Sequence, residues 1–145
     1  MEDEYLNLLR LFQEIGVEYV VVGGYAVIAH GFPRTTGDLD ILVRPSTANA
    51  RRVVQALERF GYTDGEFEET DFTTVPNFIS FASNGVWIDL MTQLLGVSLE
   101  DCLNGSLELT FAGVPVQHIS LAALRQTKRA TGRPQDLRDL ENLPE

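Results

Sequence analysis

The stretch Tyr19–Arg44, YVVVGGYAVIAHGFPRTTGDLDILVR, decides the fold. The apolar run Val20–Val22 reads as a buried strand that breaks at Gly23-Gly24 and restarts as a short helix over 24–30. A turn, Gly31–Gly37, then leads into a second apolar run that contains Asp38-Leu39-Asp40. Side chains alternate along a strand, so Asp38 and Asp40 share one face, roughly 7 Å apart, while Leu39, Ile41 and Val43 face a core. Folding needs the apolar face and has no use for two carboxylates on the other. Their repulsion is relieved by a cation, and oxygen ligands of this kind suit magnesium. The glycines at the helix start let backbone N–H groups approach a phosphate closely. One segment therefore offers a phosphate cradle and a metal-binding acidic pair, which together imply a nucleotide with its magnesium.

Other features bound the possibilities. The 145 residues are read as one domain, 1–145, large enough for a core. The net charge of −10 should repel bulk nucleic acid. The lone cysteine, Cys102, excludes an intrachain disulfide and fits the cytoplasm. The N-terminus is acidic and amphipathic, unlike a signal peptide, and no apolar run reaches membrane-spanning length.

Periodicity predicts helices over 2–15 and 48–60, the second capped by Ser46. The acidic stretch Tyr62–Asn77 reads as an exposed edge strand and loop. Asn84-Gly85 predicts a hairpin between Phe78–Ala82 and Val86–Met91. In its second strand Asp89 stands among large apolar residues, where an unpaired carboxylate is costly. It either joins Asp38 and Asp40 or pairs with Arg34 or Arg44. Arg34 itself steers a phosphate, holds an acidic side chain, or is a solvated loop arginine. A short helix is predicted after Ser98, and a late hairpin brackets Gly113. His30 and His118 read as structural. A helical hairpin over about 120–143 carries five of the eleven basic residues, Arg125, Lys128, Arg129, Arg133 and Arg138, and reads as a phosphate-facing patch or as a hairpin laced with ion pairs.

Gly23-Gly24, thirteen residues, then Asp38-Leu39-Asp40-Ile41 resembles the signature of the nucleotidyltransferase superfamily with the DNA polymerase beta fold. Leu124, Lys128, Arg133, Asp136, Asp139, Leu140 and Leu143 resemble the C-terminal motif of small bacterial members, including abortive-infection toxins. The resemblance implies an α+β fold, a mixed, mostly antiparallel sheet flanked by helices. It implies that Asp89 is the third catalytic carboxylate, that Lys128 contacts a nucleotide phosphate, and that Asp136 orients or deprotonates the acceptor. Gly23, Gly24, Arg34 and Lys128 then bind the nucleotide, and Asp38, Asp40 and Asp89 hold two Mg²⁺ ions roughly 3.5–4 Å apart. The implied reaction moves an NMP from an NTP such as ATP to a hydroxyl of RNA, protein or a small molecule, with a cognate antitoxin as a further partner. The alternative is a catalytically silent nucleotide-binding or regulatory module.

Overall fold

The computed structural model describes residues 1–63 and 65–145. The chain runs α1 (Asp3–Ile15), β1 (Tyr19–Val22), α2 (Gly23–Ala29), β2 (Asp38–Val43), α3 (Thr47–Phe60), α4 (Glu69–Thr73), β3 (Phe78–Ser83) and β4 (Val86–Met91). It continues through α5 (Leu99–Leu103), β5 (Leu107–Phe111), β6 (Val114–His118), α6 (Leu121–Thr131) and α7 (Pro134–Asn142). The strands form one sheet in the order β3-β4-β2-β1-β6-β5. The β1–β2, β3–β4 and β5–β6 pairs are antiparallel; β2–β4 and β1–β6 are parallel. This is the mixed α+β sheet that the sequence implied.

Local chemistry accounts for the boundaries. Gly16 ends α1 in a left-handed conformation, which glycine adopts without steric cost. Ser46 caps α3 by accepting from the Asn49 backbone N–H, and Ser120 caps α6 by accepting from Ala123. Pro134 sits in the first turn of α7, where its missing N–H costs nothing. Asn84 and Gly85 both have positive φ and turn the β3–β4 hairpin.

The sheet separates two cores. On one face Leu39, Ile41, Ile88 and Leu90 pack against Tyr5, Leu8 and Phe12 of α1 and Val53 and Leu57 of α3. On the other, Val20, Val22, Leu42 and Met91 pack with Ala26 and Val27 of α2, Cys102 of α5, and Ala123 and Leu124 of α6. The alternation in β2 therefore has a clear outcome: its odd-numbered residues anchor the first core, and Asp38 and Asp40 emerge on the second face.

The acidic stretch 62–77 departs from expectation. Part of it folds as α4, closed by a capping box between Glu68 and Asp71, instead of an edge strand. Tyr62, Phe67, Phe72 and Phe81 stack edge to face or tilted beneath it, giving this polar segment an apolar anchor. Asp64, within that stretch, lies outside the described residues. Among the described residues, no helix is long and apolar enough to cross a membrane.

Asn49 ties the helix layer to the strand ends. Only 1 % exposed, it accepts from the Glu18 N–H at 2.7 Å and donates to the carbonyls of Glu18 and Arg44 at 3.0 and 2.9 Å. Asn49→Ala leaves three part-buried backbone groups without their partner. It should lower stability by about 3 kcal/mol, seen as a lower urea midpoint at unchanged m-value.

Candidate active site

Parallel pairing of β2 and β4 places Asp40 directly opposite Asp89, with Asp38 one pleat away on the same face. One carboxylate oxygen from each of the three lies within 4.8 Å of the others. Among the described residues, no arginine or lysine pairs with them. Arg44 pairs with Glu18 and Glu100, and Arg34 pairs with Asp139, so the salt-bridge alternative for Asp89 is not what the structure forms.

The electrostatic strain is concentrated on Asp40. Burial, the hydrogen bond with Asp89 and the charge of Asp38 push its pKa up to about 8. Asp38 is also raised, by its hydrogen bond with Asp89 and by burial, against a weaker opposing pull from Arg34. The donor set is three carboxylates and nothing softer. It fits a hard divalent cation such as Mg²⁺, whose charge would remove the cause of those shifts.

The two glycines are needed here for protein contacts. Gly23 has φ +65°, and a Cβ on it would lie 2.1 Å from Asp40 Oδ2. A Cβ on Gly24 would lie 2.3 Å from Thr36 Oγ1. The first turn of α2 therefore rests on the acidic strand and on the loop before it. Gly23 lines the cleft above the triad, whereas Gly24 faces Thr36 and does not line it. The expected phosphate cradle at Gly23-Gly24 thus has Gly23 on the cleft and Gly24 packed beside it on Thr36.

The opposite wall of the cleft comes from α6 and α7 and includes Thr127, Lys128, Thr131, Arg133 and Asp136. Lys128 is 6 % exposed; its ammonium donates to Asp136 Oδ1 at 3.3 Å and meets Asp139 Oδ2 at 2.8 Å. Asp139, 0 % exposed, also accepts from Arg34 Nε at 2.8 Å and Nη2 at 3.0 Å, and from Gln135 at 2.8 Å. Asp136 accepts from Thr131 Oγ1 at 2.7 Å and from Arg133 Nε at 2.8 Å. Burial alone would raise both carboxyls. The donors outweigh it: Arg133, Thr131 and Lys128 hold Asp136 far below the usual carboxylate range, and Arg34, Lys128 and Gln135 lower Asp139.

These contacts place the predicted residues. Of the readings open for Arg34, the structure forms the one in which it holds an acidic side chain, Asp139. The basic tail is an ion-paired hairpin, with Lys128 and Arg133 facing the cleft from within the network. Asp136, which the resemblance makes the residue that orients or deprotonates the acceptor, holds Lys128 and Arg133 here. Asp139, which joins Lys128 to Arg34, carried no role in the sequence reading. Its only signal there was the three-residue step from Asp136, which stacks both acids on one helix face.

The family model for aminoglycoside-2''-adenylyltransferase matches residues 4–143. The fold is similar to that of the lincosamide antibiotic adenylyltransferase LnuA, lincomycin-bound, at 20 % identity, TM-score 0.64, covering 98 % of this chain and 95 % of that one. It is also similar to the solution structure of the antibiotic-resistance factor ANT(2'')-Ia, at 14 % identity, TM-score 0.59, covering 95 % and 80 %. ANT(2'')-Ia in complex with adenylyl-2''-tobramycin matches at 14 % identity, TM-score 0.54, covering 93 % and 82 %. At these identities the likeness shows the fold alone, the polymerase-beta-like nucleotidyltransferase fold. No curated protein matches the chain in sequence.

The raised pKa of Asp40 has a stability consequence of definite sign. Its folded value, about 8, lies above its unfolded value of 3.8, so its contribution is full below the unfolded value and lost progressively as pH rises through about 8. Asp40→Asn should therefore raise the melting temperature of metal-free protein at pH 8.5 by about 2 °C or more, with a clearly smaller rise at pH 5. Asp139→Ala acts oppositely. It leaves Lys128 and Arg34 without their shared partner and should cost about 3–5 kcal/mol in denaturant unfolding.

Proposed function

The chain belongs to the aminoglycoside-2''-adenylyltransferase family, and from that premise we propose that it transfers AMP from ATP to a hydroxyl of a small, antibiotic-like molecule. The observation that carries this reading is the convergence of Asp38, Asp40 and Asp89 across a cleft from Lys128 and Arg133. The adenylyl group has its support in LnuA, a lincosamide antibiotic adenylyltransferase, and in ANT(2'')-Ia, seen in complex with adenylyl-2''-tobramycin. A small acceptor replaces the RNA and protein alternatives. The antitoxin partner is not carried forward, because the family match concerns antibiotic modification.

The acceptor hydroxyl oxygen attacks the α-phosphorus and forms a new P–O bond. The bond from that phosphorus to the α,β-bridging oxygen breaks, and pyrophosphate leaves with the electron pair. Asp38, Asp40 and Asp89 would hold the divalent cation, as one ion or two, which supplies neutralisation of the triphosphate and acidification of the attacking hydroxyl. The proton of that hydroxyl passes to a carboxylate oxygen of Asp89, which no arginine or lysine neutralises among the described residues.

Lys128 is held in place by Asp136 and Asp139 and spends two of its three N–H donors on them. The third is available to a phosphate oxygen of the leaving pyrophosphate. The network of Lys128, Arg34 and Arg133 with Asp136 and Asp139 contains three cations and two carboxylates, so it keeps one net positive charge for the triphosphate. Asp139 acts only through Lys128 and Arg34 and is a positioning residue.

Incubation with ATP, Mg²⁺ and tobramycin or lincomycin, with pyrophosphate release as the readout, tests this function. Release that depends on acceptor is expected. Tight ATP binding without release, across a broad set of aminoglycosides and lincosamides, would instead support the silent nucleotide-binding module. Asp40→Asn and Asp89→Asn should each lower kcat by about 10³-fold or more while leaving the circular dichroism spectrum unchanged.

A further inference from the structure

The triad opens on two sides. One is the cleft that Lys128 and Arg133 line. The other is a shallower hollow in which Asp38 and Asp89 are joined by Gly37, Ser80 and Trp87, with none of the cleft's cations. Strand pleating explains this company. Trp87 precedes Asp89 by two residues on β4 and so shares its face. Asp38 of β2 is the ladder partner of Trp87, and Ser80 of β3 is the ladder partner of Asp89.

Two features of the hollow are costly for a folded protein with nothing bound. The Trp87 ring is 53 % exposed, although tryptophans usually bury most of their surface. Asp89 is 7 % exposed, and among the described residues no arginine or lysine pairs with it, so its only polar company is the two neighbouring carboxyls. The surroundings on the Asp38 side are electronegative. Burial raises the phenol of Tyr25, and the charges of Glu2 and Asp38 raise it further; the phenol of Tyr5 is pushed up to about 12 by burial, Tyr25, Asp38, Glu2 and Asp40.

We propose that this hollow is the acceptor subsite, and that Trp87 is the wall on which a cationic, polyhydroxylated ring stacks while presenting its hydroxyl at Asp38 and Asp89. The inference rests on the nucleotidyl-transfer reading. In-line displacement puts attacking and leaving oxygens on opposite sides of the phosphorus. The leaving pyrophosphate belongs with Lys128 and Arg133, so the attacking hydroxyl enters from the side that lacks them. An indole face attracts sugar C–H groups and nearby ammonium groups, and the carboxylates select positive charge while rejecting polyanions.

Trp87 is the only tryptophan, so its fluorescence reports this subsite alone. The full chain is titrated with tobramycin at fixed Mg²⁺ and ATP, and steady-state constants are measured for wild type, Trp87→Ala and Trp87→Phe. The wild-type emission should change saturably with tobramycin. Trp87→Ala should raise the tobramycin KM about fivefold to tenfold, with the ATP KM within about twofold, and Trp87→Phe should recover most of the loss. An unchanged tobramycin KM in Trp87→Ala, or an equal rise in the ATP KM, overturns the subsite and leaves the transferase reading standing. Pyrophosphate release with tobramycin or lincomycin that leaves the wild-type emission unchanged at saturation overturns Trp87 as the acceptor wall. Failure of the wild-type protein to bind ATP at all removes the transferase reading and this inference with it.

Discussion

Three carboxylates are forced together by a strand register, and the rest of the site follows from that constraint. The parallel pairing of β2 with β4 puts Asp40 opposite Asp89. It is locked from behind by Leu39, Ile41, Ile88 and Leu90, each at most 1 % exposed. Burying such side chains contributes about 1.5–3 kcal/mol apiece, enough to hold a register that like charges on the front face oppose. A slip by one residue would turn every one of these side chains to the wrong face, so the core and the acidic cluster are specified by the same pairing.

The cationic wall obeys a complementary logic. Lys128 and Arg34 could have neutralised the acidic cluster and spoiled it as a cation site. Asp139 and Asp136 prevent this by engaging both cations from α7, away from the triad. A buried ion network of this kind is a weak source of stability but a strong one of geometry, since each member has only one arrangement in which it is satisfied. Opposite charges thus face each other across a cleft instead of collapsing into salt bridges. A triphosphate with its cation is the class of ligand that such a separation suits.

Much of this was legible in the sequence because it depends on short-range periodicity. The two-residue step from Asp38 to Asp40, the Gly23-Gly24 break, and Asp89 alone in an apolar strand each follow from alternation and burial. The partnership of β2 with β4 came from resemblance, since no local signal names a strand's neighbour. What stayed hidden depends on contacts across long stretches of chain. Arg34 meets Asp139 over 105 residues, and Gly24 needs its missing side chain because of Thr36. In the sequence Trp87 is an apolar neighbour of Asp89. The alternation that places Asp89 on the site face places Trp87 there too, but no local signal gives its 53 % exposure. The acidic residues of 62–77 suggest a solvated edge, whereas Tyr62, Phe67 and Phe72 anchor the stretch from below.

Nucleotidyl transfer at this site requires the triad to exchange a proton for a divalent cation. Calorimetric titration of Mg²⁺ with a non-hydrolysable ATP analogue, in buffers of different ionisation enthalpy, measures that exchange directly. With Asp40 titrating at about 8, binding at pH 7 should release close to one proton, falling toward zero by pH 9.5, and Asp40→Asn should abolish the release. Cation binding with no proton released at pH 7, or release that persists in Asp40→Asn, would contradict it.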